Sequence, residues 1–161
     1  MSSLIMSSLN EEKAKLYDKM EHTDETMYIT GKAGAGKSYL LDFFAKNTHK
    51  NIAIVAPTGI AALNVGGQTI HSFFALDFGV QDIQAIRKKG VFGKRKTILQ
   101  KLDTLIIDEA SMVRVDILDA IDAKLQIANE NSLPFGGKQV LLFGDLYQLP
   151  PVVESQISRY L

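Results

Sequence analysis

Short apolar runs of strand length alternate along the chain with longer segments in which apolar residues recur every three or four positions. Met27 to Thr30, Ile52 to Ala56, Thr104 to Ile107 and Gln139 to Phe143 are the strand-length runs. Each is apolar at consecutive rather than alternate positions, and each is followed at once by Gly, Pro or an acid. That is the pattern of a parallel sheet covered on both faces. Ser8 and Glu11 stand at capping-box spacing before Leu9, Leu16, Tyr17 and Met20, which predicts a first helix ending near residue 22. Leu40, Leu41, Phe43 and Phe44 predict a helix over Lys37–Asn47. Thr58 is placed to cap a short helix through Val65 that Gly66 and Gly67 end. Met112, Val115, Leu118, Ile121 and Leu125 predict another helix, and Pro134, Gly136 and Gly137 a turn before the fourth strand. Strands and helices in alternation predict an α/β fold with a mainly parallel sheet, in which ligands bind at the carboxyl ends of the strands.

Composition narrows the field. The 161 residues fit one domain, and 46% apolar with 22% charged residues excludes a disordered or low-complexity chain. No internal repeat is present. Lys plus Arg equals Asp plus Glu at 18 each, so a polyanion site must be local. Residues 81–101 are such a locality, with seven cations (Arg87, Lys88, Lys89, Lys94, Arg95, Lys96 and Lys101) against Asp82 alone. A solvated helix face and a phosphate-binding patch are both compatible with this run. Cys is absent, which excludes disulfides, thiolate metal sites and a cysteine nucleophile. No leader pattern opens the chain and no apolar run approaches the roughly 20 residues of a membrane helix, so a soluble, cytoplasmic protein without membrane contact is expected.

The strongest chemical signal is Gly31-Lys32-Ala33-Gly34-Ala35-Gly36-Lys37-Ser38, which fits G-x-x-x-x-G-K-[ST] between a predicted strand and a predicted helix. Glycines let backbone N–H groups converge on phosphate oxygens, and the helix N-terminus adds partial positive charge. Gly31, Ala33, Gly34, Ala35 and Gly36, with Lys37, Ser38 and Tyr39, are the candidate nucleotide contacts. Lys37 reaches the terminal phosphates and Ser38 ligates Mg²⁺. Asp108 and Glu109 end an apolar strand, an arrangement suited to holding the metal with one carboxylate and polarising water with the other. Asp108 as a helix cap, with Glu109 merely exposed, is the plainer alternative. The fourth strand runs into Gly144-Asp145-Leu146-Tyr147-Gln148-Leu149-Pro150-Pro151-Val152, where Asp145 and Gln148 are placed to meet the γ-phosphate.

These blocks, with Ala56-Pro57-Thr58-Gly59-Ile60-Ala61-Ala62-Leu63-Asn64 and Gly66-Gly67-Gln68-Thr69-Ile70-His71-Ser72-Phe73-Phe74, resemble the Pif-one-type (petite integration frequency) DNA helicases of the RecD-like branch of helicase superfamily one. The resemblance spans residues 31 to 152, in the family's order. It implies a P-loop NTPase of RecA-like three-layer architecture. It implies an ATP- and Mg²⁺-dependent motor moving five-prime to three-prime along single-stranded DNA, in replication, repair or telomere-type maintenance. Carried over residue by residue, Lys37, Glu109 and Gln148 are catalytic, Ser38 and Asp108 hold the metal, and Gln148 links the γ-phosphate to DNA. Pro57, Thr58, Gly59, His71, Ser72 and Phe73 look like DNA contacts. For Thr58 an ordinary helix cap, and for Phe73 and Phe74 an ordinary core position, are the competing readings.

The resemblance divides the chain into a lead-in, residues 1–26, and a first RecA-like domain, residues 27–161. The family's second such domain supplies an arginine to the γ-phosphate, and Arg159 matches no block that does so. The expectation is a monomer that needs that domain in cis, and that by itself hydrolyses ATP slowly and does not unwind DNA. Lys13 stands where the family has a Gln that reads adenine. Another P-loop ATPase, such as a loader or remodeller, and a non-catalytic nucleotide- or single-strand-binding module remain the alternatives.

Overall fold

A computed structural model of the chain describes residues 11–31 and 36–145. Its elements in order are α1 (Glu11–His22), β1 (Met27–Gly31), α2 (Gly36–Asn47), β2 (Ile52–Ala56), α3 (Gly59–Asn64), β3 (Gln68–Thr69), α4 (Ile70–Phe74), α5 (Ile83–Lys89), α6 (Gly93–Lys101), β4 (Thr104–Ile107), α7 (Val115–Asn129) and β5 (Gln139–Asp145). Short 3₁₀ turns at Ala110–Met112 and Pro134–Gly137 precede α7 and β5 respectively. The five strands form one sheet in the order β1-β5-β4-β2-β3, all parallel.

The consecutive apolar positions are explained by two cores. Leu105, Ile107, Val140 and Leu142 face one side of the sheet, against Ile70, Phe74, Leu99 and α7. Ile106, Leu141 and Phe143 face the other side, against Tyr17 and Met20 of α1 and Leu40 and Phe44 of α2. A strand buried on both faces has no polar alternate positions, and all four residues of β4 are buried.

The first helix is held at its C-terminal end by hydrogen bonds rather than by packing alone. Lys50 Nζ donates to the carbonyls of Met20 (2.8 Å) and Thr23 (2.6 Å) and to Gln139 Oε1 (2.8 Å). Gln139 is fully buried, accepts from Thr104 Oγ1 and donates to the Glu25 carbonyl. Glu21 accepts from the Thr48 hydroxyl and the His49 amide. A cation on the last carbonyls of a helix satisfies acceptors that have no intrahelical partner.

Three features differ from the sequence pattern. The two-residue strand β3 is too short to show a period, yet it pairs with Val55 and Ala56. Met112 does not belong to α7: it lies in the 3₁₀ turn and is 60% exposed, because the left-handed Glu109 redirects the chain before the helix starts. The basic segment, lacking any strong period, forms α5 and α6, which lie on α7 through Ile83, Ile86 and Leu99.

Beneath them Lys124 of α7 is only 6% exposed and has no hydrogen bond or ion pair among the described residues. Burial first, then Lys89 and Arg95, lower its pKa below the ordinary 10.5, against the pull of Asp77. Between the folded-state value and the ordinary one the unfolded chain binds more protons, so stability rises with pH through that window. Lys124→Met is expected to stabilise the protein at neutral pH by about 1 kcal/mol and to flatten that alkaline rise, read from denaturant melts across pH.

Candidate nucleotide and nucleic-acid site

The carboxyl ends of β1, β5, β4 and β2 lie side by side. Gly31 closes β1 in register with Asp145 of β5, and Gly36 opens α2. A strand and a helix, as phosphate binding requires, thus flank residues 32–35. Ala33, Gly34, Ala35 and Gln148 lie outside the described residues, as do the side chains of Lys37, Ser38 and Asp145. Tyr39, on the first turn of α2, is exposed and stacks on Phe43 with ring centroids 6.0 Å apart, and Lys13 Nζ stands 5.7 Å from its centroid.

Asp108 is the first residue past β4. Its amide donates to the Val55 carbonyl (2.9 Å), which extends the ladder to β2 by one residue, and the residue is 8% exposed. Glu109 then adopts φ 53° and ψ 42°, a left-handed conformation unfavourable for a residue with a Cβ. Both acids line a cavity of about 480 Å³ that also takes in Thr58, Asn64, and Leu41 and Asp42 of α2. Thus the helix after the Gly turn, the strand-end acids and the start of α3 share one cleft.

Thr58 caps α3: its Oγ1 accepts from the Ala61 amide at 3.2 Å. The ordinary role is realised, but a hydroxyl that accepts still has its proton to donate. Gly59 follows, and a Cβ built there meets nothing within 4 Å, so packing does not demand a glycine. His71 and Pro57 border a second cavity of about 130 Å³ with Arg114, and His71 stacks on Phe78 at 5.6 Å. Ser72 is exposed, its amide donating to Thr69 Oγ1 (3.1 Å). Phe73 lies apart from these. It packs edge-on against Phe74 and faces a groove along Ile52–Ile54 of β2.

Three participants were not singled out in the sequence. Arg114 pairs with Asp116 (3.0 Å) and donates to the Gly79 carbonyl (2.9 Å), while Asp116 also accepts from the Gln81 amide. The hydrogen bond from Arg114 holds the Asp116 carboxyl below the usual range. Tyr28 crosses Gly144 so closely that a Cβ at 144 lies 2.3 Å from its hydroxyl, and the Ser111 amide is the next neighbour. The Ser111 hydroxyl is buried without a hydrogen-bond partner among the described residues. Each depends on contacts between segments distant in sequence, which no local pattern encodes.

No group of three or more His, Asp or Glu able to hold a metal exists among the described residues, and no described helix is long and apolar enough to cross a membrane. Replacing Glu109 by Gly is expected to stabilise the fold by about 1 kcal/mol, whereas Glu109→Gln leaves stability unchanged. Thermal melts of the two variants check this, and equal melting temperatures would refute the strain.

Residues 8–159 match a family model described as PIF1-like helicase. The chain is 38% identical over 149 residues to the ATP-dependent DNA helicase Pif1 of Bdellovibrio bacteriovorus, covering 91% of this chain and 34% of that protein. The crystal structure of Bacteroides sp Pif1 in complex with ADP-AlF4 superposes with a TM-score of 0.80 at 43% identity, over 94% of this chain and 36% of that one. Bacteroides Pif1 bound to ssDNA gives 0.78 at 42% identity, with the same coverage of 94% and 36%. The chain thus spans about a third of the length of these relatives, and its fold is the RecA-like α/β fold of the P-loop NTPases.

Proposed function

Because the chain belongs to the PIF1-like helicase family, we propose that it forms the ATP-binding first motor domain of a DNA helicase that moves five-prime to three-prime along single-stranded DNA. The observation that carries this reading is the shared cleft, where Asp108, Glu109 and Thr58 meet residues of the helix that follows the Gly turn. A hydrolysis site and a strand contact that share one cleft can couple ATP turnover to movement. In this reading the lead-in is residues 1–26 and the motor domain residues 27–161, completed by a second RecA-like domain in cis, with the protein acting as a monomer.

The backbone of Gly31 to Gly36 and the N-terminus of α2 bind the phosphates, with Lys37 on the terminal ones, and Tyr39 borders the nucleotide. The oxygen donors fit Mg²⁺, a hard ion that takes one or two carboxylates and fills its shell with water and substrate phosphate, so no larger acidic cluster is needed. Ser38 and Asp108 would hold it, and when bound it supplies charge neutralisation to the phosphates. Glu109 orients and deprotonates the attacking water. Its left-handed backbone separates it from Asp108, so the two acids do different work. Asp145 and Gln148 meet the γ-phosphate from the end of β5. On the DNA side, the Thr58 hydroxyl donates to a backbone phosphate, the open space at Gly59 admits the strand, and Pro57, His71, Ser72 and Phe73 continue the track. The relatives' names, the ADP-AlF4 complex and the ssDNA complex support a reading in which nucleotide and single-stranded DNA are the ligands.

Lys37→Ala is expected to lower Mg·ATP affinity at least about tenfold, whereas Glu109→Gln keeps binding and slows single-turnover hydrolysis by about a hundredfold. Fluorescent-nucleotide titration and quench-flow read the two effects separately. Wild-type hydrolysis by Glu109→Gln would remove Glu109 from the chemistry. Thr58→Ala costs about 1 kcal/mol of stability through the lost cap. It also weakens binding of a single-stranded oligonucleotide, and unchanged affinity would confine Thr58 to capping.

A further inference from the structure

Helix α7 buries a cation among its apolar residues. Lys124 stands one turn from Ala120 and one from Ala128, all three are buried, and no carboxylate or carbonyl among the described residues takes a hydrogen bond from its ammonium. Instead Lys124 borders a cavity of about 150 Å³ between α7 and residues 75–89. Leu76, Val80 and Ile86 give that cavity an apolar wall, and Lys89, Asp77 and Asp82 are its other charged residues. Asp82 is engaged as the cap of α5, where its carboxylate accepts from the Ala85 amide at 3.2 Å. The space is well below the roughly 300 Å³ of the smallest ordinary ligand pockets, so it suits only a molecule of a few atoms.

The electrostatics at Nζ disfavour positive charge. Burial is the largest influence, Lys89 and Arg95 add to it, and Asp77 opposes them. Arg95 is held in place by donating to the Phe73 carbonyl at 2.8 Å. A lysine that gives up its proton gains a lone pair and becomes a nucleophile. The two cations that disfavour an ammonium also favour a negative charge at the same atom. The site therefore selects a reaction that reverses the charge of the lysine and adds few atoms to it.

We propose that Lys124 captures carbon dioxide as a carbamate within this cavity. The Nζ lone pair forms an N–C bond to the carbon, one C=O π pair moves onto oxygen, and an N–H proton passes to water. A neutral amine and carbon dioxide thus become R–NH–COO⁻ and H⁺. Carbon dioxide is small, uncharged and apolar, which suits the wall formed by Leu76, Val80 and Ile86. The carbamate turns a repulsion from Lys89 and Arg95 into an attraction, and so ties α5 and α6 more firmly to α7. No residue of this cavity lines the cleft at Asp108, so the inference stands whether or not the nucleotide site works as proposed.

The test is ¹³C NMR of the 161-residue chain in labelled bicarbonate at constant pH and ionic strength. O-alkylation with a trialkyloxonium salt, followed by peptide mass spectrometry, locates the adduct. The α-amino group of the same chain, which forms carbamates by the same chemistry, is the internal control. A Lys124 carbamate is expected in the wild type, and Lys124→Met should remove that resonance while keeping the α-amino one. Lys89→Gln should lower the Lys124 carbamate fraction about threefold and Asp77→Asn should raise it about threefold, each equivalent to roughly half a pKa unit of charge interaction. Bicarbonate should raise the urea midpoint of the wild type and leave that of Lys124→Met unchanged. The proposal is overturned if Lys124 stays unmodified while the α-amino group reacts. It is also overturned if Lys89→Gln and Asp77→Asn leave the fraction unchanged, or if the wild-type midpoint does not move.

Discussion

The cleft depends on the parallel ladder between β2 and β4 and on its running one residue too far. The bond from the Asp108 amide to the Val55 carbonyl carries the sheet past the last apolar residue, so a carboxylate is delivered at the mouth of a strand that is buried on both faces. A strand so enclosed has almost no freedom to tilt or slide. The acid at its end inherits that rigidity, and the left-handed residue that follows turns the chain away before a helix can begin. Thr58 reaches the same cleft by an equivalent route, from the end of the neighbouring strand. Two adjacent strands with fixed register thus place groups from two distant stretches of sequence with respect to each other.

Much of this was legible beforehand because it follows from local rules. Consecutive apolar residues mark the strands, and a hydroxyl followed by a Gly marks the start of α3. The less legible parts have physical reasons too. Strand β3 is defined by its partner and not by its own two residues. The basic segment hid two helices because few apolar residues suffice to fasten each one to α7, leaving no clear period. Met112 had helical spacing from Val115, yet the break at Glu109 takes precedence. Arg114, Tyr28 and Ser111 gain their roles from chain crossings, such as the passage of Tyr28 over Gly144, that only the folded structure reveals.

Charge is distributed with the same economy. An overall balance of zero conceals a segment of net plus six and a remainder of minus six, and the folded chain gathers the positive part on two helices that lie outside α7. The carboxylates of the cleft lie elsewhere, at the strand ends. Separation of this kind lets a polyanion approach one region without neutralising, or being repelled by, the acids of another.

The tether at Lys50 has a mechanical meaning. Helix α1 is clamped at its C-terminal end to the amino end of the sheet through Lys50, Glu21 and Gln139, while near its other end Lys13 hangs over Tyr39 beside the Gly turn. At 12 residues the helix is a strut about 18 Å long with its anchor at one end and its working tip at the other. What Lys13 presents to Tyr39 is therefore aimed by a polar clamp on the opposite edge of the sheet, so the surroundings of Tyr39 can be altered by substitutions that touch no part of α2.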